Sequence, residues 1–141
     1  MNNFFVHYYY GNEENAWYTA IGTAIRVLGY NMTVQIYYSR KFKPLIDFLI
    51  SLNKNKENLA IYELEEKKSL QQQIMEFSPN NAPPALILIT SIELFENDLT
   101  KFCSQIELLK KHSEIILMSN KEIKEIERIS EYTTKYELSK L

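Results

Sequence analysis

The sequence predicts an α/β fold: three layers, α/β/α, around a mostly parallel sheet of five to six strands. Three observations predict it. Apolar runs of strand length alternate with segments of helical period from one end to the other. One run, "ALILI" at Ala85–Ile89, is continuously apolar, as a central parallel strand covered on both faces must be. No internal repeat and no long linker interrupts the pattern, so residues 1–141 read as a single domain, large enough for one core.

The elements follow in order. "FFVHYYY" (Phe4–Tyr10) is rich in aromatic and β-branched residues and stops at Gly11, which reads as a first strand. From Ala16 to Leu28 the apolar positions Trp17, Ala20, Ile21, Ala24, Ile25 and Leu28 recur at helical spacing, with Gly29 at the close. "TVQIYY" (Thr33–Tyr38) is a second strand, and Pro44 suits the first turn of a helix running to about Leu52. "LAIYEL" (Leu59–Leu64) reads as a third strand and Ser69–Phe77 as a short helix. The turn-rich "SPNNAPP" (Ser78–Pro84) then leads into Ala85–Ile89. Leu99–His112 is an amphipathic helix, "EIILM" (Glu114–Met118) a buried strand, Lys121–Ile129 a charged surface helix and Tyr132–Leu138 a last strand.

Composition excludes several classes of function. A net charge of −2 and a pI near 5.8 offer nothing for nucleic acid or an anionic membrane to grip. The local clusters Arg40, Lys41, Lys43 and Lys110, Lys111 read as solvated surface. A single cysteine, Cys103, allows no internal disulfide, and His7 and His112 have no ligand spacing, so no metal site is expected. The sequence has neither an apolar run of membrane-spanning length nor a basic leader, and a soluble cytoplasmic protein is expected. Ser139, Lys140 and Leu141 spell a peroxisomal address that has meaning only in a eukaryote.

In a parallel sheet the default ligand site lies beyond the carboxyl ends of the strands. The segments expected to converge there are Gly11–Ala16, Ser39–Lys43 and Thr90–Glu93.

Those segments carry a family resemblance. "YYYGNEENAWYTAIGTAIRVLGYNMTVQIYY" resembles the N-terminal part of the ATP:corrinoid adenosyltransferases, which run strand, G-N-G-K-G-K-T-T-A-A, helix, R-A-x-G, then a strand ending V-x-x-x-Q-F. Gly11 and Asn12 match the opening, Ala20 the small residue after the loop, Arg26, Leu28 and Gly29 the helix end, and Gln35 the glutamine. "ALILITSIELF" (Ala85–Phe95) is similar to the strand bearing the family's L-D-E-I. Glu114–Lys140 is similar to its V-x-L-T-G-R, helix and A-D-L-V-T-E-M, with Thr134 and Lys140 on the closing threonine and lysine. The middle of the chain has no counterpart of the family's G-F-x-W segment. The resemblance implies a RecA-like fold derived from P-loop NTPases, a homodimer, and ATP, magnesium and a corrinoid as ligands.

The chemistry departs from the family. A phosphate loop needs close-approaching glycines, a lysine and a hydroxyl for magnesium. In register, Glu13 and Asn15 replace glycines, Glu14 a lysine, Ala16 the principal lysine and Trp17 the hydroxyl. Thr90 and Ser91 stand where an Asp-Glu pair would organise magnesium, with Glu93 as a nearby substitute or a surface residue. Met118, Ser119 and Asn120 replace T-G-R. Gly11, Asn12, Glu13, Glu14, Asn15, Ala16 and Trp17 therefore read as a vestigial nucleotide loop. Its acidic residues suit a helix N-terminus and repel a triphosphate, and Asn12 or Asn15 serves as the cap. Arg40 and Lys41 are the remaining candidate anion contacts.

The expectation is a degenerate adenosyltransferase-like protein without catalytic residues, metal or cofactor, binding a protein partner or a second copy of itself. The alternative is an active ATP:corrinoid adenosyltransferase that uses ATP, Mg and a corrinoid with Arg40 or Lys41 in place of the lost lysine. Ten tyrosines are the other oddity. Alternate tyrosines of the first two strands are expected to pack under helices. For Trp17 and Tyr18 two readings stay open, an adhesive surface at the mouth or ordinary core.

Overall fold

A computed structural model describes residues 4–52, 56–64 and 83–137. The short helix expected at Ser69–Phe77, most of the Ser78–Pro84 turn, and Lys140 with the rest of the C-terminal tripeptide lie outside the described residues. The order is β1 (Val6–Gly11), α1 (Glu13–Gly29), β2 (Val34–Tyr38), α2 (Lys43–Leu52), β3 (Leu59–Glu63), β4 (Leu86–Ile89), α3 (Leu99–Leu109), β5 (Glu114–Ser119), α4 (Lys124–Ile129) and β6 (Tyr132–Tyr136). Short 3-10 turns at Arg40–Phe42 and Ile92–Asp98 lead into α2 and α3.

The six strands form one sheet in the order β3-β2-β4-β5-β1-β6, and every neighbouring pair is parallel. Strand periodicity divides the core in two. Leu86, Leu88, Ile116 and Met118 face α1 and α2, whereas Ile87, Ile89, Ile115 and Leu117 face α3 and the segment around Ile126. β4 is buried at every position, which is why its sequence lacks a polar alternation. The result is the expected three-layer α/β/α arrangement. Among the described residues no helix is long and apolar enough to cross a membrane.

Two differences from the sequence expectation have clear causes. Helix α1 begins at Glu13 rather than Ala16. Asn12 is its N-cap, its side chain accepting from the Asn15 N–H at 3.0 Å, and Glu13 and Glu14 put negative charge in the first turn. Its other end is the expected one: the last helical residue is Gly29, followed by the Tyr30 cap and Asn31 at φ 60°. At the other end of the chain, α4 is shorter than the expected surface helix and is anchored by the fully buried Ile126.

The tyrosines separate by position. Tyr8 and Tyr37 are wholly buried in the sheet, as expected for strand tyrosines, while Tyr18, Tyr30 and Tyr132 are exposed.

Candidate functional site

Strands β2 and β4 lie side by side, yet their chains leave towards opposite faces, β2 to α2 and β4 to α3. Such a divergence opens a crevice at the carboxyl end of a parallel sheet. The segments Ser39–Lys41 and Thr90–Glu93 form its two sides, and the first turn of α1 completes it.

The two sides are stitched together. Thr90 Oγ1 accepts from the Ser39 N–H at 3.0 Å, and the Ser39 and Ser91 hydroxyls lie 2.5 Å apart. Thr90 and Ser91 are both buried, so each hydroxyl is satisfied inside the protein. Ser91 sits in the left-handed region (φ 57°, ψ 48°), a conformation that costs a non-glycine residue of order 1 kcal/mol and persists only where surroundings impose it.

Across the mouth runs a three-membered ion cluster. Lys41 Nζ lies 2.6 Å from Glu13 Oε1 and 3.5 Å from Glu93 Oε1. The Asn120 N–H points at the other Glu93 oxygen at 3.4 Å. The cluster is lopsided, because the Lys41 side chain is 50% exposed and that of Glu13 only 7%. Burial pushes the Glu13 carboxyl above its ordinary range, and the Lys41 hydrogen bond offsets this only in part. For Lys41, burial pulls down, but the hydrogen bond and charge of Glu13, joined by Glu93, hold the ammonium above its ordinary value. Glu13 Oε2 is buried and makes no standard hydrogen bond among the described residues.

Behind the mouth lies a second polar group. The Tyr8 hydroxyl bonds the Ser119 hydroxyl at 2.6 Å and the Lys121 carbonyl at 2.9 Å, and accepts from the Ile123 N–H at 3.0 Å. Burial pushes this phenol up to about 12. Ser119 thus anchors the β5–α4 turn.

The positions singled out in the sequence now have places. Gly11 is the end of β1, with φ +105°, and Asn12 caps α1. Glu13, Glu14, Asn15, Ala16 and Trp17 belong to the helix itself, so one residue separates strand from helix where a phosphate loop would need several. Glu14 is exposed and Asn15 half-buried, with its amide directed at the Glu137 carbonyl at 3.5 Å. Ala16 is fully buried and Trp17 is 2% exposed, stacked on Phe42 with ring centroids 5.3 Å apart. Trp17 is core, not an adhesive surface, whereas its neighbour Tyr18 is 59% exposed. Lys41 reaches the mouth and Arg40 is exposed beside it. Among the described residues no group of three or more His, Cys, Asp or Glu is arranged to hold a metal ion.

The sequence missed the bridge from Glu13 to Lys41, 28 positions apart, because nothing in local spacing marks it. Ser39 was missed as the link between the two sides for the same reason.

The cluster makes an asymmetric prediction. Lys41→Met should cost about 2 kcal/mol at neutral pH, less than the ~3–5 kcal/mol of a broken pair buried on both sides, because Lys41 is half in solvent. Glu13→Gln should stay within about 1 kcal/mol of the parent or gain stability, since it removes the desolvated charge. The folded-state pKa of Glu13 lies above its ordinary 4.5, so the native protein takes up this proton before the unfolded chain does. The Lys41→Met penalty should therefore shrink as pH falls through that raised value, and urea denaturation at neutral and mildly acid pH measures it.

Compared with known proteins, the chain matches no family model and no curated protein.

Proposed function

We propose that this chain is a non-catalytic relative of the ATP:corrinoid adenosyltransferases, with a RecA-like frame, that works by binding rather than by turnover. One observation carries the reading: the Glu13 carboxylate, at the first residue of α1, sits on the Lys41 ammonium at 2.6 Å. A helix N-terminus favours an anion, and here a side chain of the protein fills that place.

The residues at the mouth do not fit a triphosphate. Lys41, the cation that reaches the mouth, is already shared between two carboxylates. Glu13 Oε2 and Glu14 add negative charge where phosphate oxygens would approach. The surviving loop glycine is explained by the backbone of β6 (Gly11 would place a Cβ 2.4 Å from the Tyr136 carbonyl oxygen), not by a ligand. The hydroxyls of Thr90 and Ser91 are bonded within the crevice.

A binding role, through a protein partner or a homodimer, is supported by large exposed apolar side chains on the two helices of one face. Tyr18 and Ile25 on α1 are 59% and 47% exposed, and Phe48 and Leu52 on α2 are 63% and 54%.

Calorimetric titration with Mg·ATP tests the reading, and no heat is expected up to millimolar nucleotide. Micromolar binding would overturn it in favour of an active adenosyltransferase, to be assayed by adenosyl transfer to cob(I)alamin with Arg40 and Lys41 substituted. Visible absorbance on titration with cobalamin reports separately on corrinoid docking.

A further inference from the structure

A cavity of about 260 Å³ opens at the amino ends of the strands, at the opposite end of the sheet from the Glu13–Lys41–Glu93 cluster. The first residues of β4 and β5, Leu86 and Glu114, line it from the sheet, with Ile116 above them. Val27 of α1 and Met32 beyond its end close it from the helix side. The walls are thus largely apolar. At one end, however, stands a fixed polar pair.

Glu114 and His7 make that pair, with Oε2 to Nε2 at 2.9 Å. Both side chains are held from outside the cavity. The Phe5 N–H donates to Glu114 Oε1 at 2.8 Å, and the His7 ring stacks on Tyr132 with centroids 5.2 Å apart and planes 16° apart. Neither residue is deeply buried, at 34% and 28% exposure, and both line the cavity. An apolar cavity with one convergent, pre-oriented polar group is the usual form of a small-molecule site.

We propose that this cavity binds a small aromatic amine, its ring between α1 and the sheet and its ammonium on Glu114. Size sets the body: an apolar cavity of about 150 Å³ holds a benzene ring, so the larger one here admits a ring with a short arm. Chemistry sets the head. A carboxylate only accepts, and each Glu114 oxygen has one donor already and a lone pair to spare. A donor with positive charge therefore gains most, and an acid is repelled.

The test uses the intact chain with phenethylamine, phenethyl alcohol and phenylacetate as probes of one shape and three head groups. Methyl NMR of Met32 and Val27 reports occupancy. Phenethylamine should move both methyls with a Kd on the order of 0.1–1 mM. The alcohol should bind roughly tenfold more weakly, for want of the charge. Phenylacetate should not bind. Glu114→Gln keeps an acceptor for the Phe5 N–H and should reduce the amine to the level of the alcohol, leaving the alcohol unchanged. Val27→Trp should fill the cavity and abolish both. Phenylacetate binding as tightly as the amine, silence of both methyls with every probe, or an amine indifferent to Glu114→Gln would each overturn the assignment. If a variant fails to fold by circular dichroism, the ranking on the parent chain decides alone.

Discussion

Trp17→Ala should lower stability by about 3–5 kcal/mol, a large share of what a domain of this size possesses. Trp17 is the largest fully buried side chain of the protein. Its indole stacks on Phe42 at 28° between planes, and it shares one stripe of α1 with Ala16, Ala20, Ala24 and Leu28 against Ile36, Leu88 and Met118. Removing it opens a void that the small neighbouring alanines cannot close, so the transfer and cavity contributions add. The midpoint of thermal unfolding should fall by roughly 10–20 °C. Far-UV circular dichroism is the measurement, because Trp17 is the sole tryptophan and its fluorescence goes with it. Trp17→Phe keeps the stack on Phe42 and should recover more than half of the loss. An unchanged melting point would contradict a core role and return Trp17 to the surface reading.

Gly11→Ala should cost about 3 kcal/mol, through the backbone rather than through packing. At φ +105° an L side chain is strained wherever it sits, and here its Cβ would lie 2.4 Å from the Tyr136 carbonyl oxygen. That oxygen also accepts from the Asn12 N–H at 2.8 Å, which ties the start of α1 to β6. Relief of the clash therefore moves β6 away from β1 and disturbs the helix cap at once. Hydrogen exchange should quicken first at the amides of Tyr132–Tyr136, before those of β4. Uniform protection across the sheet would show that the clash is absorbed elsewhere.

The sheet was legible in the sequence because burial on both faces leaves continuous apolar runs, such as "LILI" in β4, bounded by turn residues and alternating with helical segments. Helix α1 was legible in its stripe but not in its start. Its signals were present, with Asn12 as cap and two glutamates in the first turn, but the resemblance to a phosphate loop assigned those same residues to a loop. Trp17 lies in the stripe with Ala20 and Ala24 from either start, and the stripe rather than the loop register told where its side chain goes. The crevice was legible as a place, since strand ends alone locate it. Its contents were not. Lys41 read as a surface charge or an anion contact and Glu93 as a surface residue or a substitute acid. Nothing in the spacing paired either with Glu13, which needs the side-by-side packing of β2 and β4.

Strand β1 is hydrogen-bonded to β5 on one side and β6 on the other, with Val6 opposite Ile115 and His7 opposite Tyr132. It has no neighbour in the first two-thirds of the chain. On a ribosome, the earliest-made strand therefore waits until the latest-made strands emerge, and the amino-terminal half cannot settle ahead of the rest. β6 depends on it most, because this edge strand pairs in the sheet with β1 alone, whereas β5 also pairs with β4. A cut between β4 and β5 would leave one fragment with a strand that belongs to the other, so the two pieces should recover structure only when mixed.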